Sequence, residues 1–230
     1  MKIIYRISDA GYKKDKPEYI NNEACLANAV KTFGSDNFIV IADNVSEETY
    51  LMICKYVKSS SIMKVSVGHG AGTFNLALDK ALLLDDDEIV YFLENDYLHT
   101  SDAKEVLEDS FNLNPAFVSL YDHPDKYLDP ARGGNPYCQG GAEDTRVYLS
   151  KLSHWKITNS TTMTFAAKVK TLKEVEPLLR KHTQGSYPND FNMFLELRDN
   201  NRILITPIPG KATHGETAWL SPLTDWSIYG

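Results

Sequence analysis

Cysteine is scarce in this chain of 230 residues. There are three, Cys25, Cys54 and Cys138, far apart and with no CxxC or mixed Cys/His spacing. That excludes a disulfide framework and a structural zinc site, and fits reduced thiols in a cytosol. Positive charge is also in deficit: 24 Lys and Arg against 31 Asp and Glu give a net charge of −7. Such a balance argues against non-specific binding to nucleic acid or to an anionic membrane. No apolar run reaches transmembrane length, and the one that opens the chain is too short for a signal peptide. Internal repeats and low-complexity tracts are missing too. The expectation is a cytoplasmic protein with an ordinary buried core, no nucleic-acid partner and no transmembrane segment.

What is present is an alternation of strand and helix signals. "KIIYRIS" reads as an opening strand, followed by the polar loop "DAGYKKDKPEY". "INNEACLANAVKTFG" has apolar residues at helical spacing, with Gly34 as its stop. "NFIVIADN" is a strand, and "SEETYLMICKYVKSS" opens with Ser46 and two acids, the pattern of a capped helix. Strand "SIMKVSV", helix "GAGTFNLALDKALLL" and strand "EIVYFLEND" complete a βαβ succession. Such a succession builds a mainly parallel sheet with helices on both faces.

The second half reads differently. "SDAKEVLEDSFN" is helical, "PAFVSLYDH" a strand, and "PDKYLDPARGGNPYCQGGAED" a long loop. "TRVYLSKLSHWKITNSTTMTFAAK" has the pattern of antiparallel strands. Helices follow at "TLKEVEPLLRKH" and "DFNMFLELRD", then a strand "RILITPIP" and a tail with little regular structure. The economical fold is a single α/β domain over residues 1–230, with a nucleotide-binding half (1–100) and a mixed, partly antiparallel half (101–230).

In parallel sheets, ligands gather beyond the carboxyl ends of the strands. Ser8-Asp9, Asp43-Asn44 and Glu94-Asn95-Asp96 all fall at such ends. In "FLENDY", Glu94 and Asp96 stand at i and i+2, which on an extended chain share a face. Two carboxylates that converge need a positive partner, and a divalent cation is the first candidate.

This order of pieces, with "ENDY" closing the fourth strand, resembles the A-type glycosyltransferase fold, especially its family-two-like enzymes. The resemblance spans roughly the first hundred residues and is looser beyond. It implies a nucleotide-sugar donor, a UDP, GDP or dTDP sugar, and a glycan or other hydroxyl acceptor. Glu94 and Asp96 take the two acidic positions of the family's DxD motif, the first being Glu where Asp is usual. Asp96 would then ligate Mn2+ or Mg2+ on the donor diphosphate, and Glu94 would act through water or touch the donor. Asp43 in "IADNVSEET", beside Asn44, matches the acidic residue that meets the base or ribose. "GTFNLALDKAL" matches the helix before the acidic motif, with Asn75 and Ala77 in place.

Further roles follow from the same resemblance. His214 in "KATHGETAW" would return to the metal, with Lys211 near phosphate and Trp219 in packing. An inverting enzyme needs a general base, and Asp190, opening "DFNMFLEL", takes that position. Glu143 and Asp144 in "QGGAEDTR" compete for the acceptor side. Trp155 stacks on an acceptor sugar or fills the core. Arg6 and Ser8 contact the base or diphosphate, or Arg6 serves a structural ion pair. Two other readings stand beside the metal-dependent glycosyltransferase. A sugar-nucleotide nucleotidyltransferase would want a Gly- and Arg-rich loop after the first strand, where "SDAGYKKDKPEY" has one Gly and two adjacent Lys. A non-catalytic protein binding nucleotide-sugar or carbohydrate would share the fold alone. A dehydrogenase fits worse, because "GHGAGTF" follows the third strand and lacks the GxGxxG pattern.

Overall fold

The computed structural model describes residues 1–10 and 14–230. Its architecture grows from the first strand, β1 (Lys2–Ser8). Ile3, Tyr5 and Ile7 face one side of the sheet and Ile4 and Arg6 the other, and all five are buried. A strand buried on both faces must be covered twice. On the first face lie α1 (Asn22–Phe33), α2 (Glu47–Tyr56) and α4 (Ala103–Ser110), whose Leu26, Phe33, Ile53 and Leu107 join Ile3 and Tyr5. On the second lie α3 (Gly70–Ala81), α5 (Val169–Lys181) and α6 (Asp190–Asp199), which pack Phe74, Leu172 and Phe194 against Ile4. The expected signals at Ser46 and Gly34 operate here, and Asn21 adds a cap. Asn21 caps α1 and Ser46 caps α2 through their side-chain oxygens, and Gly34 ends α1 at a φ of 83°.

The remaining strands are β2 (Phe38–Asp43), β3 (Ile62–Val65), β4 (Ile89–Glu94), β6 (Phe117–Val118), β7 (Val147–Leu149), β8 (His154–Thr158), β9 (Phe165–Lys168) and β10 (Leu204–Ile208). They form one nine-stranded sheet in the order β3-β2-β1-β4-β9-β6-β10-β8-β7. The first four are parallel; β9 runs antiparallel to β4, and the β7–β8 hairpin is antiparallel. The parallel half and the mixed half therefore share a single sheet, as the sequence reading expects. Strand order reverses between β1 and β4, and in open α/β sheets that switch point opens a crevice at the carboxyl ends. Among the described residues no helix is long and apolar enough to cross a membrane.

Two expectations are corrected. The chain turns directly after Glu94, at Asn95-Asp96, so Asp96 is not on the fourth strand; β5 (Tyr97–His99) begins after it. The tail is also more ordered than its composition suggests. Residues Ala212–His214 form β11, which pairs antiparallel with β5 so that His214 stands opposite Tyr97. Asn28 of α1 secures β5 further: its amide accepts from His99 N at 2.8 Å and donates to His99 O at 3.0 Å.

Gly215 lets the tail approach this closely. A Cβ there would lie 2.5 Å from Ile20 Cγ2 and 2.8 Å from the Asp96 carbonyl. Gly215→Ala should therefore cost about 1–3 kcal/mol. Thermal unfolding should report this as a fall of roughly 2–4 °C per kcal/mol; an unchanged Tm would show that the tail yields freely.

Candidate functional site

The crevice between the ends of β1, β2 and β4 opens into a cleft of about 410 Å3. Of the residues singled out from the sequence, Arg6, Ser8, Asp43, Glu94 and Asp96 line it together. The fold brings them there because each lies at or just beyond the end of one of those three strands.

Asp43 ends β2 and is buried. Its carboxylate accepts from Val67 N at 2.6 Å and from Gly68 N at 2.9 Å, which fixes the loop leading to α3. Gly68 holds a φ of 82°, and His69 caps α3 by accepting from Gly72 N at 3.0 Å. Asn44, with a φ of 50°, accepts from Ser66 and steadies the same turn. Ser8 accepts from Ala10 N at 3.1 Å.

Glu94 and Asp96 have different partners because the turn separates them. Glu94 lies 3.3 Å from the guanidinium of Arg6 and accepts from Thr162 at 2.8 Å and Thr164 at 3.3 Å. Arg6 is buried and also donates to the carbonyls of Gly70 (3.2 Å) and Met163 (3.1 Å). The pair thus locks the β1–β4 seam to α3 and to the loop before β9. Asp96 is met by Lys16 at 3.0 Å, His214 at 3.3 Å and Lys14 at 3.4 Å. Burial favours its neutral form, yet the charges of His214, Lys14 and Lys16 hold it far below the usual carboxylate range. Lys14 Nζ also lies 2.9 Å from His214 Nε2. That nitrogen either accepts from Lys14 or, when protonated, donates to Asp96; one atom cannot do both.

Asp96 and His214 are the two residues of the site that could ligate a divalent ion. Asp96 Oδ2 and His214 Nε2 stand 3.3 Å apart, close to the separation of about 3 Å between neighbouring ligands of a small octahedral cation. Carboxylate with imidazole suits manganese. The Lys14 ammonium already rests against both atoms, so a positive charge is accepted at this point. Among the described residues no set of three or more His, Cys, Asp or Glu comes together as a metal centre. Asp96 and His214 are a pair.

Asp190 opens α6, three residues after Tyr187, which lines the cleft. Burial pushes its carboxyl up to about 6; the Phe191 N–H, donating at 2.7 Å, opposes the rise and the Glu94 charge adds to it. A group titrating there is a base near neutral pH. Asp190 is the first residue of α6; the cap position before it is held by Asn189, and no side chain caps the helix.

The other residues lie elsewhere. Trp155 is fully buried, its indole N–H donating to Ser150 at 2.9 Å, and presents no face to a ligand. Glu143 lies between the buried ammoniums of Lys126 (3.0 Å) and Lys156 (3.3 Å), inside the folded loop 122–146. Asp144 borders a separate hollow beside Tyr137. Asn75 bonds Thr183, tying α3 to the end of α5. Lys211 pairs with Asp102 at 2.7 Å. Trp219 packs, its ring 5.4 Å from His123. Missed in the sequence were Lys14 and Lys16, whose i, i+2 spacing was the available signal, and the threonines of "NSTTMT" that hold Glu94. Residues 11–13 of the same loop, with the first of its two adjacent lysines, lie outside the described residues.

No known family matches the chain, and no curated protein matches it in sequence. Solved structures do resemble it. GalNAc-T7, crystallised with UDP, GalNAc and Mn2+, superposes with a TM-score of 0.60 at 10% identity, over 95% of this chain and 44% of its own. Residues 1–349 of S. aureus TarS give 0.52 at 15% identity, over 90% of this chain and 58% of that one. A197 from STIV gives 0.50 at 16% identity, over 96% and 91%. The chain thus spans less than two thirds of the first two. What these distant likenesses show is the fold: the chain is built on the A-type glycosyltransferase fold.

Proposed function

We propose that this protein is a glycosyltransferase that moves a sugar from a nucleotide-sugar donor to a hydroxyl of a glycan or similar acceptor, with inversion. The observation that carries the reading is the cleft at the β1–β4 switch point. There a buried, ionised Asp96 faces His214 across 3.3 Å, and Asp190, which opens α6 three residues after the cleft-lining Tyr187, has a carboxyl that titrates near 6. The structures of GalNAc-T7 with UDP and Mn2+ and of S. aureus TarS with UDP-GlcNAc support the donor class.

In this reading Asp43 faces the base or ribose, and the Arg6–Glu94 pair keeps the sugar-side wall of the cleft rigid. Asp96 and His214 would hold Mn2+ or Mg2+, which when bound neutralises the charge that grows on the departing diphosphate. Asp190 accepts the proton of the acceptor hydroxyl as its oxygen bonds to the anomeric carbon and the bond to the diphosphate breaks. A carboxylate partly freed from water is a stronger base than one in bulk solution, so the burial that raises Asp190 also equips it. The same energetics separate this role from capping: a cap would be stabilised as an anion.

Asp96→Ala should abolish metal-dependent nucleotide-sugar binding, measured by calorimetry with UDP, GDP and dTDP sugars with and without Mn2+. Undiminished binding would move the metal elsewhere. Asp190→Asn should keep donor affinity and lose transfer by a factor of about 10^2–10^4; an active variant would shift the base to another residue. In the parent, transfer should fall as pH drops through about 6. The raised pKa means that the native state binds this proton more tightly than the unfolded chain does. Asp190 therefore weakens the fold progressively as pH rises from about 4 to about 6, and fully above that. Asp190→Asn should accordingly raise stability at pH 7–8 by about 1–2 kcal/mol and leave it unchanged below pH 4. Equal Tm values across that range would mean that the carboxyl is solvated.

A further inference from the structure

Charge matching at the cleft leaves a surplus. Each carboxylate lining it has its own partner: Asp43 takes the Val67 and Gly68 N–H groups, and Glu94 takes Arg6 and two threonines. Asp96, however, faces two ammonium groups, Lys14 and Lys16, as well as His214. One negative charge does not need two lysines, least of all in a chain whose net charge is −7.

These lysines are positioned residues. Residues 14–17 carry no helix or turn, and on an extended segment residues 14 and 16 share a face. Both line the cleft, with side chains 28% and 30% exposed. The residue between them is pinned by the tail, since the Asp15 carbonyl accepts from Thr217 N at 2.8 Å and from Thr217 Oγ1 at 3.0 Å. The segment that carries His214 thus also fixes the spacing of the two ammoniums over Asp96.

Resting on the donor-site reading above, we infer that Lys14 and Lys16 are ligands of the donor diphosphate. In the unliganded chain they neutralise Asp96; when donor enters, they exchange its carboxylate for phosphoryl oxygens. Ammonium groups are suited to this exchange, being point charges on flexible stems that lose little on changing partner. Two consequences follow. A nucleoside diphosphate binds without any metal, and Lys14, resting against both Asp96 and His214, competes with a divalent ion for those two atoms.

The test is calorimetry with UDP, GDP and dTDP, each in EDTA and in saturating Mn2+, on the parent, Lys14→Ala, Lys16→Ala and the double variant. The inference expects at least one diphosphate to bind the parent in EDTA. The double variant should bind it about tenfold or more weakly in EDTA, the loss of a charge-assisted contact, and lose less in Mn2+. Mn2+ alone should bind Lys14→Ala severalfold more tightly than the parent. The pair Lys14→Arg/Lys16→Arg should recover binding in EDTA, which separates charge from loop folding. Equal affinities in EDTA for the parent and the double variant would overturn the inference and leave the donor site standing. No binding of any diphosphate to the parent, with or without Mn2+, would overturn both.

Discussion

Everything at the cleft depends on one constraint: a carboxylate taken out of water must be matched by positive charge. Asp96 sits in the turn between β4 and β5, where desolvation favours its neutral form. Two segments remote in sequence answer it: the loop after β1, through Lys14 and Lys16, and β11, through His214. The pairing of β11 with β5 fixes how near His214 can come, and Gly215 allows the chain to leave that strand against the turn. The backbone pairing of β11 with β5 and the bonds from Thr217 to the Asp15 carbonyl hold these segments in register, and the anion draws their cationic side chains together.

The second half of the chain has a comparable device. Lys126, Lys156 and Asp122 are buried, and with Glu143 they form a closed set of ion pairs beneath the loop between β6 and β7. Ser160 and Asn135 bind Asp125 at 2.8 and 3.0 Å alongside. Breaking such a pair strands a charge at a cost of several kcal/mol, whereas its net contribution against an apolar filling is small. Its effect is therefore to give a Pro- and Gly-rich loop one arrangement. Glu143 is the keystone of that set, facing both lysines at the edge of the hollow that Asp144 also borders.

The βαβ half could be read because its signals are local. The cap at Ser46, the stop at Gly34 and the runs that became β1, β2 and β4 all act within a few residues. Acidic and polar strand ends followed from the period of the chain, and the fold gathered them into one cleft. What escaped were long-range events. β11 is three residues long and has no periodicity of its own; it exists because β5 offers an edge. The turn at Asn95-Asp96 separated two carboxylates that extended geometry would have joined, and Arg6, 88 residues before Glu94, took one of them. Trp155 followed its β-strand pattern into the core, as a residue on a covered strand does.

The strap from β11 to Thr217 has one further consequence, for the order in which the molecule becomes competent. A chain made from its N-terminus lays down β1 to β4, with Arg6, Asp43, Glu94 and Asp96, well before His214 and Thr217 exist. During that interval the sheet can form, but Asp96 lacks its imidazole and the Lys14–Lys16 segment lacks its anchor. The cleft is therefore completed by one of the later segments to emerge, and a growing chain cannot reach the finished geometry of the cleft before residue 217 has left the ribosome.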